Sequence, residues 1–203
     1  WNVRENLRSF GVEVYTSTHP EQIIKTRFID EKSNQQILRS DEEPEITPIS
    51  FEFPDEWKST YDALVISDYD KGFITQEKLF ELSNWFQGPV FIDTKKTCIP
   101  GNAFIKVNES EFKKITHFIP DNMVITKGGE GTEYQGKLYP AEKVNVFDVV
   151  GAGDTFLAAL TYGYLKYGRI EEAIPLANKA AAVAVSHRGT YVLTEEDVKK
   201  ILC

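Results

Sequence analysis

The sequence predicts an α/β fold: a mostly parallel sheet flanked by helices, with a small β-hairpin set apart from it. Three observations lead there. Four short runs, residues 63–66, 89–93, 103–107 and 123–126, read as strands, and the first is continuously apolar, the sign of a strand buried on both faces. Segments of helical periodicity fall between several of them, and strands that alternate with helices imply parallel βαβ units. From Gly153 onward the pattern is helical almost to the end.

The 203 residues, 41% hydrophobic and 12% aromatic, suffice to bury a real core. A formal net charge of −8 gives no bulk attraction to nucleic acid or to an anionic membrane, so neither is expected as a partner. An anionic substrate would need a local basic cluster. Cys98 and Cys203 lack metal-type spacing and the second is the last residue, a poor place for a structural disulfide, so a reducing cytoplasm is the expected location. No apolar run approaches the roughly 20 residues that span a bilayer, and the opening Trp1-Asn2-Val3-Arg4-Glu5-Asn6 lacks the form of a signal peptide.

Residues 2–11 place Val3, Leu7 and Phe10 at helical spacing and stop at Gly11, a short helix with a glycine end. Two β-like runs, 23–29 and 35–39, flank the polar segment 30–34 and read as a hairpin. Lys25, Arg27 and Arg39 alternate with apolar residues and so can share a face, which is either solvated or a cationic site. Residues 42–60, acidic and carrying Pro44, Pro48 and Pro54, read as a connection from the hairpin (23–41) to a core of residues 61–203. Within that core, 75–86 reads as a helix with Thr75 as N-cap and 109–115 as a second helix. Residues 132–139 read as a small hairpin and 144–146 as a further strand. Residues 154–167 and 170–186 are alanine-rich helices with Gly168 and Gly189 at their ends, and Thr194 opens a terminal helix in capping-box fashion. The alanines of 180–184 permit close packing against the sheet or against a flat ligand. His19, His117 and His187 form no spaced cluster and read as surface or structural residues.

The most informative stretch is Asp148-Val149-Val150-Gly151-Ala152-Gly153-Asp154-Thr155. Its glycines let the backbone turn tightly, and the N–H groups that follow point out from a helix start, which is an anion-binding device. A carboxylate beside an anion site suits proton transfer. Asp154 is therefore read as the base of a phosphoryl-transfer site, with Gly151, Ala152 and Gly153 as the anion hole; the plain alternative is a first-turn acid at a helix N-terminus. Ligands of open parallel sheets lie beyond the carboxyl ends of the strands. There the sequence puts Ser67-Asp68-Tyr69, Asp93-Thr94-Lys95-Lys96, Asn108-Glu109-Ser110-Glu111 and Thr126 to Gly131, each able to hold phosphate, metal or hydroxyl.

Asp148 to Thr161 resembles the C-terminal signature of the ribokinase-like (PfkB) sugar kinases. Asn108-Glu109-Ser110-Glu111 resembles their N-x-x-E motif, and Thr126-Lys127-Gly128-x-x-Gly131 their T-x-G-x-x-G nucleotide turn, all in family order. The resemblance implies a ribokinase-like fold, ATP as donor, a magnesium ion, and in some members a monovalent cation. It implies Asp154 as base, with Asn108, Glu109, Ser110, Glu111, Thr126, Gly128 and Gly131 around ATP and Asn178 lining the adenine site. Asn108 and Glu111 would order magnesium through water; helix capping is the alternative for both.

A narrower likeness lies in 24–27, in 34–41 and in Leu64-Val65-Ile66-Ser67-Asp68-Tyr69-Asp70-Lys71-Gly72. These are similar to the kinase module of the bacterial D-glycero-β-D-manno-heptose 7-phosphate kinases, which phosphorylate C1 of heptose 7-phosphate on the route to lipopolysaccharide heptose. This likeness implies an already anionic sugar substrate, held in a pocket or under a lid that includes Lys25, Arg27, Arg39, Asp68 and Lys71. It also implies a homodimer through the lid-like hairpin. The sequence departs from those kinases at Asp93-Thr94-Lys95-Lys96, where they favour D-P-K-G, and at Lys106-Val107-Asn108, where a proline precedes their asparagine. The family's sugar site also uses a G-G-x-x-N segment, and the chain enters that segment at Asn2, so residues 1–22 read as a remnant of an N-terminal α/β part. A kinase of another sugar or small alcohol, or a noncatalytic nucleotide-binding remnant, stays open.

Overall fold

In the computed structural model, which describes residues 1–21, 23–33, 35–50, 52–116 and 120–203, strand pairing sorts the chain into two sheets. The expectations placed on Asn34 and His117 lie outside the described residues. After helix α1 (Asn2–Ser9), the smaller sheet is an antiparallel hairpin of β1 (Ile24–Ile29) and β2 (Gln36–Glu42). Its register sets Lys25 opposite Asp41 and Arg27 opposite Arg39, so the three cations do share one face. Ile24, Phe28 and Leu38 lie on the other face and are exposed.

A one-turn helix α2 (Trp57–Thr60) precedes the larger sheet, whose six strands stand in sequence order: β3 (Leu64–Asp68), β4 (Val90–Thr94), β5 (Phe104–Asn108), β6 (Met123–Thr126), β7 (Gly131–Tyr134) and β8 (Lys137–Pro140). The first four are parallel and the last two antiparallel. Helix α3 (Gln76–Trp85) starts at Thr75, whose hydroxyl accepts from the Lys78 N–H at 3.1 Å. It covers one face of the sheet, over Ile66, Ile92, Ile105, Val107 and Met123. Helices α5 (Ala152–Tyr167), α6 (Ile170–Val185) and α7 (Glu195–Leu202) pack with α1 on the face that carries Phe91, Val124 and Tyr134. Side chains alternate along a strand. Asp93, Lys106, Asn108 and Thr126 thus fall on the α5 side, whereas Asp68 and Thr94 fall on the α3 side.

The alanines of α6 serve close packing. Gly163 of α5 comes so near that a Cβ built on it would lie 2.9 Å from the Ala173 Cα. Two expectations are corrected. Residues 144–146 form no strand: β-branched residues favour a sheet only where a partner edge exists, and here Val146 is exposed while the next two amides, of Phe147 and Asp148, bond to the Val185 carbonyl at the end of α6. The helix expected over 109–115 ends early, as α4 (Glu109–Phe112), and closes through turn bonds from Lys114 to Glu111 and from Ile115 to Phe112. Among the described residues no helix is long and apolar enough to cross a membrane.

Candidate active site

The turn before α5 is held from both sides by one carboxylate. Asp148 accepts from the Val150 N–H through Oδ1 and from the Gly189 N–H through Oδ2, each at 3.0 Å. Gly151 then takes a left-handed conformation, φ +82°, as the N-cap of α5. The Ala152 N–H turns back to the Val149 carbonyl at 3.3 Å, and the first turn of the helix, with its orphan donors, begins.

Asp154 stands in that first turn with donors already on it. The Tyr69 hydroxyl donates to both carboxylate oxygens, at 2.8 and 2.9 Å. Asn2 reaches Asp154 Oδ2 at 3.4 Å and the Gly151 carbonyl at 3.2 Å with the same Nδ2. Behind Asn2 lies Asn6, fully buried, which donates from Nδ2 to Asn2 Oδ1 at 2.9 Å and accepts the Leu193 N–H on Oδ1 at 3.0 Å. A backbone N–H can only donate and a backbone carbonyl can only accept, so Leu193 at one end and Gly151 at the other fix the orientation of both amides. The NH2 of Asn2 therefore faces the carboxylate.

Beneath the turn, Lys106 donates to Asp93 Oδ2 at 2.7 Å. A Cβ on Gly153 would lie 2.7 Å from the Lys106 Nζ, so glycine is what lets a buried ammonium sit against the start of α5. Burial pushes the Asp93 carboxyl above its ordinary range, against the pull of the Lys106 charge. A cation and a helix N-terminus on the same side favour an anion above them.

Asn108 and Glu111 form a capping box: Asn108 Oδ1 accepts from the Glu111 N–H and Glu111 Oε2 from the Asn108 N–H, both at 2.9 Å. Ser110 donates to the same Asn108 oxygen at 2.8 Å, while Glu109 pairs with Lys113 at the surface. The capping box uses one Glu111 oxygen and leaves the other, and among the described residues no three His, Cys, Asp or Glu side chains converge as a metal cage. One spare carboxylate oxygen fits a hydrated magnesium, which keeps most of its waters.

The remaining predicted residues are dispersed. Thr126 donates to the Val107 carbonyl at 3.2 Å. Gly128 has φ +55° with open space around it, whereas a Cβ on Gly131 would meet the Tyr139 carbonyl at 2.1 Å, so packing against β8 alone demands that glycine. The Asn178 amide is engaged inside the protein, accepting from the Thr132 hydroxyl at 2.7 Å and donating to the Tyr139 and Pro140 carbonyls. Asp68 is buried on the α3 side, bonded to Thr94 at 2.8 Å and ion-paired with Lys96, which also bonds Asp70. Burial disfavours the Lys96 ammonium, but these two carboxylates outweigh it and raise its pKa. Lys71 pairs with Glu43 at 2.7 Å, and Arg39 makes a two-pronged pair with Asp41 at 2.7 and 2.6 Å.

The sequence places Tyr69 in the cluster after β3 and Asn2 in the G-G-x-x-N segment, but it gives neither of them, nor Asn6 or Lys106, a role beside Asp154. Two asparagines four apart on the apolar side of a short helix were the available signal.

A family model described as pfkB family carbohydrate kinase matches residues 79–197. Among curated proteins, the chain is similar to the Bifunctional protein HldE of a Nitratiruptor species, 32% identical over 229 residues that cover 98% of this chain and 49% of that protein. The chain spans about half the length of the curated relatives it matches. Among solved structures, it is similar to a ribokinase from Thermotoga maritima, with a TM-score of 0.64 and 19% identity over 88% of this chain and 68% of that one. Arabidopsis thaliana ribokinase, complexed with ribose and ATP, gives a TM-score of 0.56 and 19% identity over 73% of this chain and 58% of that one. These structural likenesses establish a ribokinase-like fold. The family match covers more than half of the residues, and the chain belongs to the pfkB family of carbohydrate kinases.

Proposed function

We propose that this chain is an ATP-dependent kinase for a sugar or sugar-phosphate hydroxyl, with heptose 7-phosphate as acceptor and heptose 1,7-bisphosphate as product. The observation that carries the reading is Asp154 in the first turn of α5, beside the Gly151 turn, with a hydroxyl already on its carboxylate at 2.8 Å. That is hydrogen-bond reach for a general base. Heptose 7-phosphate is favoured over other acceptors by the likeness of 24–27, 34–41 and 64–72 to heptose kinases and by the relatedness to HldE proteins.

The acceptor hydroxyl gives its proton to Asp154 while its oxygen bonds the γ-phosphorus. The bond from that phosphorus to the β–γ bridging oxygen breaks, and ADP leaves. The N–H groups of Gly151, Gly153 and Asp154, with Ala152 closing the turn, hold the charge on the transferred group. Lys106 adds its field from below. Glu111 and Asn108, both through water, would hold magnesium, which when bound neutralises phosphate charge. The turn from Thr126 to Gly131 borders the ATP phosphates with Glu109 and Ser110. Asn178 borders the adenine by its likeness to the family's position, and an open depression of about 570 Å³ lined by Lys143, Val144, Asn145, Phe147 and Ser186 offers room for the base. The hairpin is the lid, residues 42–60 its connection and 61–203 the catalytic core. Lys25, Arg27 and Arg39 hold the substrate phosphate, with Lys71 at the lid's base, and two copies pair through their hairpins.

The purified chain, given Mg-ATP and a panel of heptose 7-phosphate, ribose and fructose 6-phosphate, is expected to form ADP and phosphorylated product with the heptose. No product above an Asp154→Asn control with any acceptor overturns the enzyme reading. Lys25→Ala or Arg27→Ala should raise KM for the phosphorylated sugar far more than for ATP; equal effects would sink the pocket assignment.

A further inference from the structure

A base that accepts a hydroxyl's proton faces a competitor present at very high concentration, which is water. If water sat on Asp154 with ATP bound, its oxygen would bond the γ-phosphorus, its proton would pass to Asp154, and the bond to the β–γ bridging oxygen would break. The products would be ADP and phosphate, with no sugar consumed. In the resting site the place is already taken. Tyr69 follows directly on β3, and its hydroxyl sits between the two carboxylate oxygens at 2.8 and 2.9 Å, at the distance an acceptor hydroxyl must reach.

Two features keep the phenol a donor there. Burial of the hydroxyl end, reinforced by the negative charge of Asp154, raises its pKa above the ordinary tyrosine value. The Lys95 ammonium lies 5.6 Å from the ring centroid and braces the ring electrostatically. The residue is also about half exposed, 49%, so an incoming molecule can reach it from solvent.

We infer that Tyr69 is a specificity-determining residue: its hydroxyl is a tethered occupant of the catalytic base that excludes water and yields only to an acceptor hydroxyl held by contacts of its own. This rests on the kinase reading proposed above. A tethered group competes at an effective concentration that a loose water must beat with one hydrogen bond, whereas a bound sugar brings further contacts to the exchange. The phenol also tracks the chemistry it guards, because it is itself a hydroxyl.

The test is ADP release from Mg-ATP by the purified chain, with and without the acceptor panel, for the wild type, Tyr69→Phe, Asp154→Asn and the double variant. Tyr69→Phe keeps the ring and loses only the hydroxyl. It is expected to release ADP without acceptor at least about tenfold faster than wild type, the scale of one hydrogen bond to a charged group. The double variant should return to the Asp154→Asn background. A loss of fold or a merely structural role lowers every rate and raises none. If the wild type phosphorylates an acceptor but Tyr69→Phe leaves acceptor-free ADP release unchanged, the occupant role is wrong and the kinase reading stands. If the wild type phosphorylates nothing while Tyr69→Phe gains Asp154-dependent hydrolysis, the occupant role stands and the kinase reading falls. ADP release by neither overturns both.

Discussion

Asn6 and Asn2, one turn apart in α1 and both buried, are joined by a 2.9 Å hydrogen bond that sets which end of the Asn2 amide faces Asp154. The Asp154 carboxylate thus depends on a residue it never touches. Asn6→Leu keeps the branched shape, is bulkier, and strands Asn2 Oδ1 and the Leu193 N–H, each worth about 1–3 kcal/mol when left unpaired in the interior. The expected outcome is a Tm lowered by several degrees and a fall in kcat with little change in KM for ATP, read from calorimetry and steady-state kinetics.

The two glycines of the α5 turn should respond differently to alanine. At Gly151 the left-handed backbone disfavours any side chain by about 1–2 kcal/mol, and the new Cβ would also lie 2.8 Å from Asn2 Nδ2, so Gly151→Ala should unfold at lower temperature. At Gly153 the obstacle is the mobile end of Lys106 alone, at 2.7 Å, and alanine is the better helix former by about 1 kcal/mol. Gly153→Ala should therefore lose at least about tenfold in kcat as the ammonium is pushed off Asp93, and parting that buried pair should lower the Tm as well.

Gly163→Ala tests packing away from the chemistry. Its Cβ would meet the Ala173 Cα at 2.9 Å and Cβ at 3.0 Å, so α5 and α6 must part. Overpacking of this kind costs about 1–3 kcal/mol. Thermal melts should show the loss, and both KM values should hold.

The capping box of α7 gives a pH signature. Burial works to raise the Asp197 pKa, but the N–H and hydroxyl of Thr194 and the Tyr191 hydroxyl overcome it, leaving the folded value below the unfolded one. The stability this contributes is present above the unfolded value of about 3.9 and is lost as pH falls through the folded value. The Tm gap between wild type and Asp197→Asn should be widest near neutrality and should close below about pH 4; a gap constant with pH would show that the carboxylate is not responsible.

Local signals in the sequence carried far. Thr194 and Asp197, Thr75 and Lys78, and Gly151 ahead of a helix are each defined within a few residues, and each element forms as expected. Period-2 alternation puts Lys25 and Arg27 on one face of β1, and the register of β2 brings Arg39 to that same face. What the sequence could not supply was register between distant strands and the positions of chain segments far apart. Tyr69 meets Asp154 across 85 positions and Asn2 meets it across 152, and no pattern within either segment points to the other. Alternation also explains why Asp68 and Asp93, both at strand ends, face opposite sides of the sheet. Residues 144–146 mislead for a related reason: a valine alternation states a preference, and only an available edge turns it into a strand.

The hairpin of β1 and β2 has a further consequence. Every residue of β2 is exposed, and a two-stranded ribbon is marginal by itself in water. Whatever surface settles on Ile24, Phe28 and Leu38, or on Lys25 and Arg27, must also complete the ribbon's folding. Its amide hydrogens should exchange with solvent almost as fast as those of an open chain at high dilution. Protection should grow with protein concentration if copies pair there, and with sugar phosphate if the cations close on substrate. The ribbon would then act as a built-in reporter, whose exchange rate counts how often it is covered.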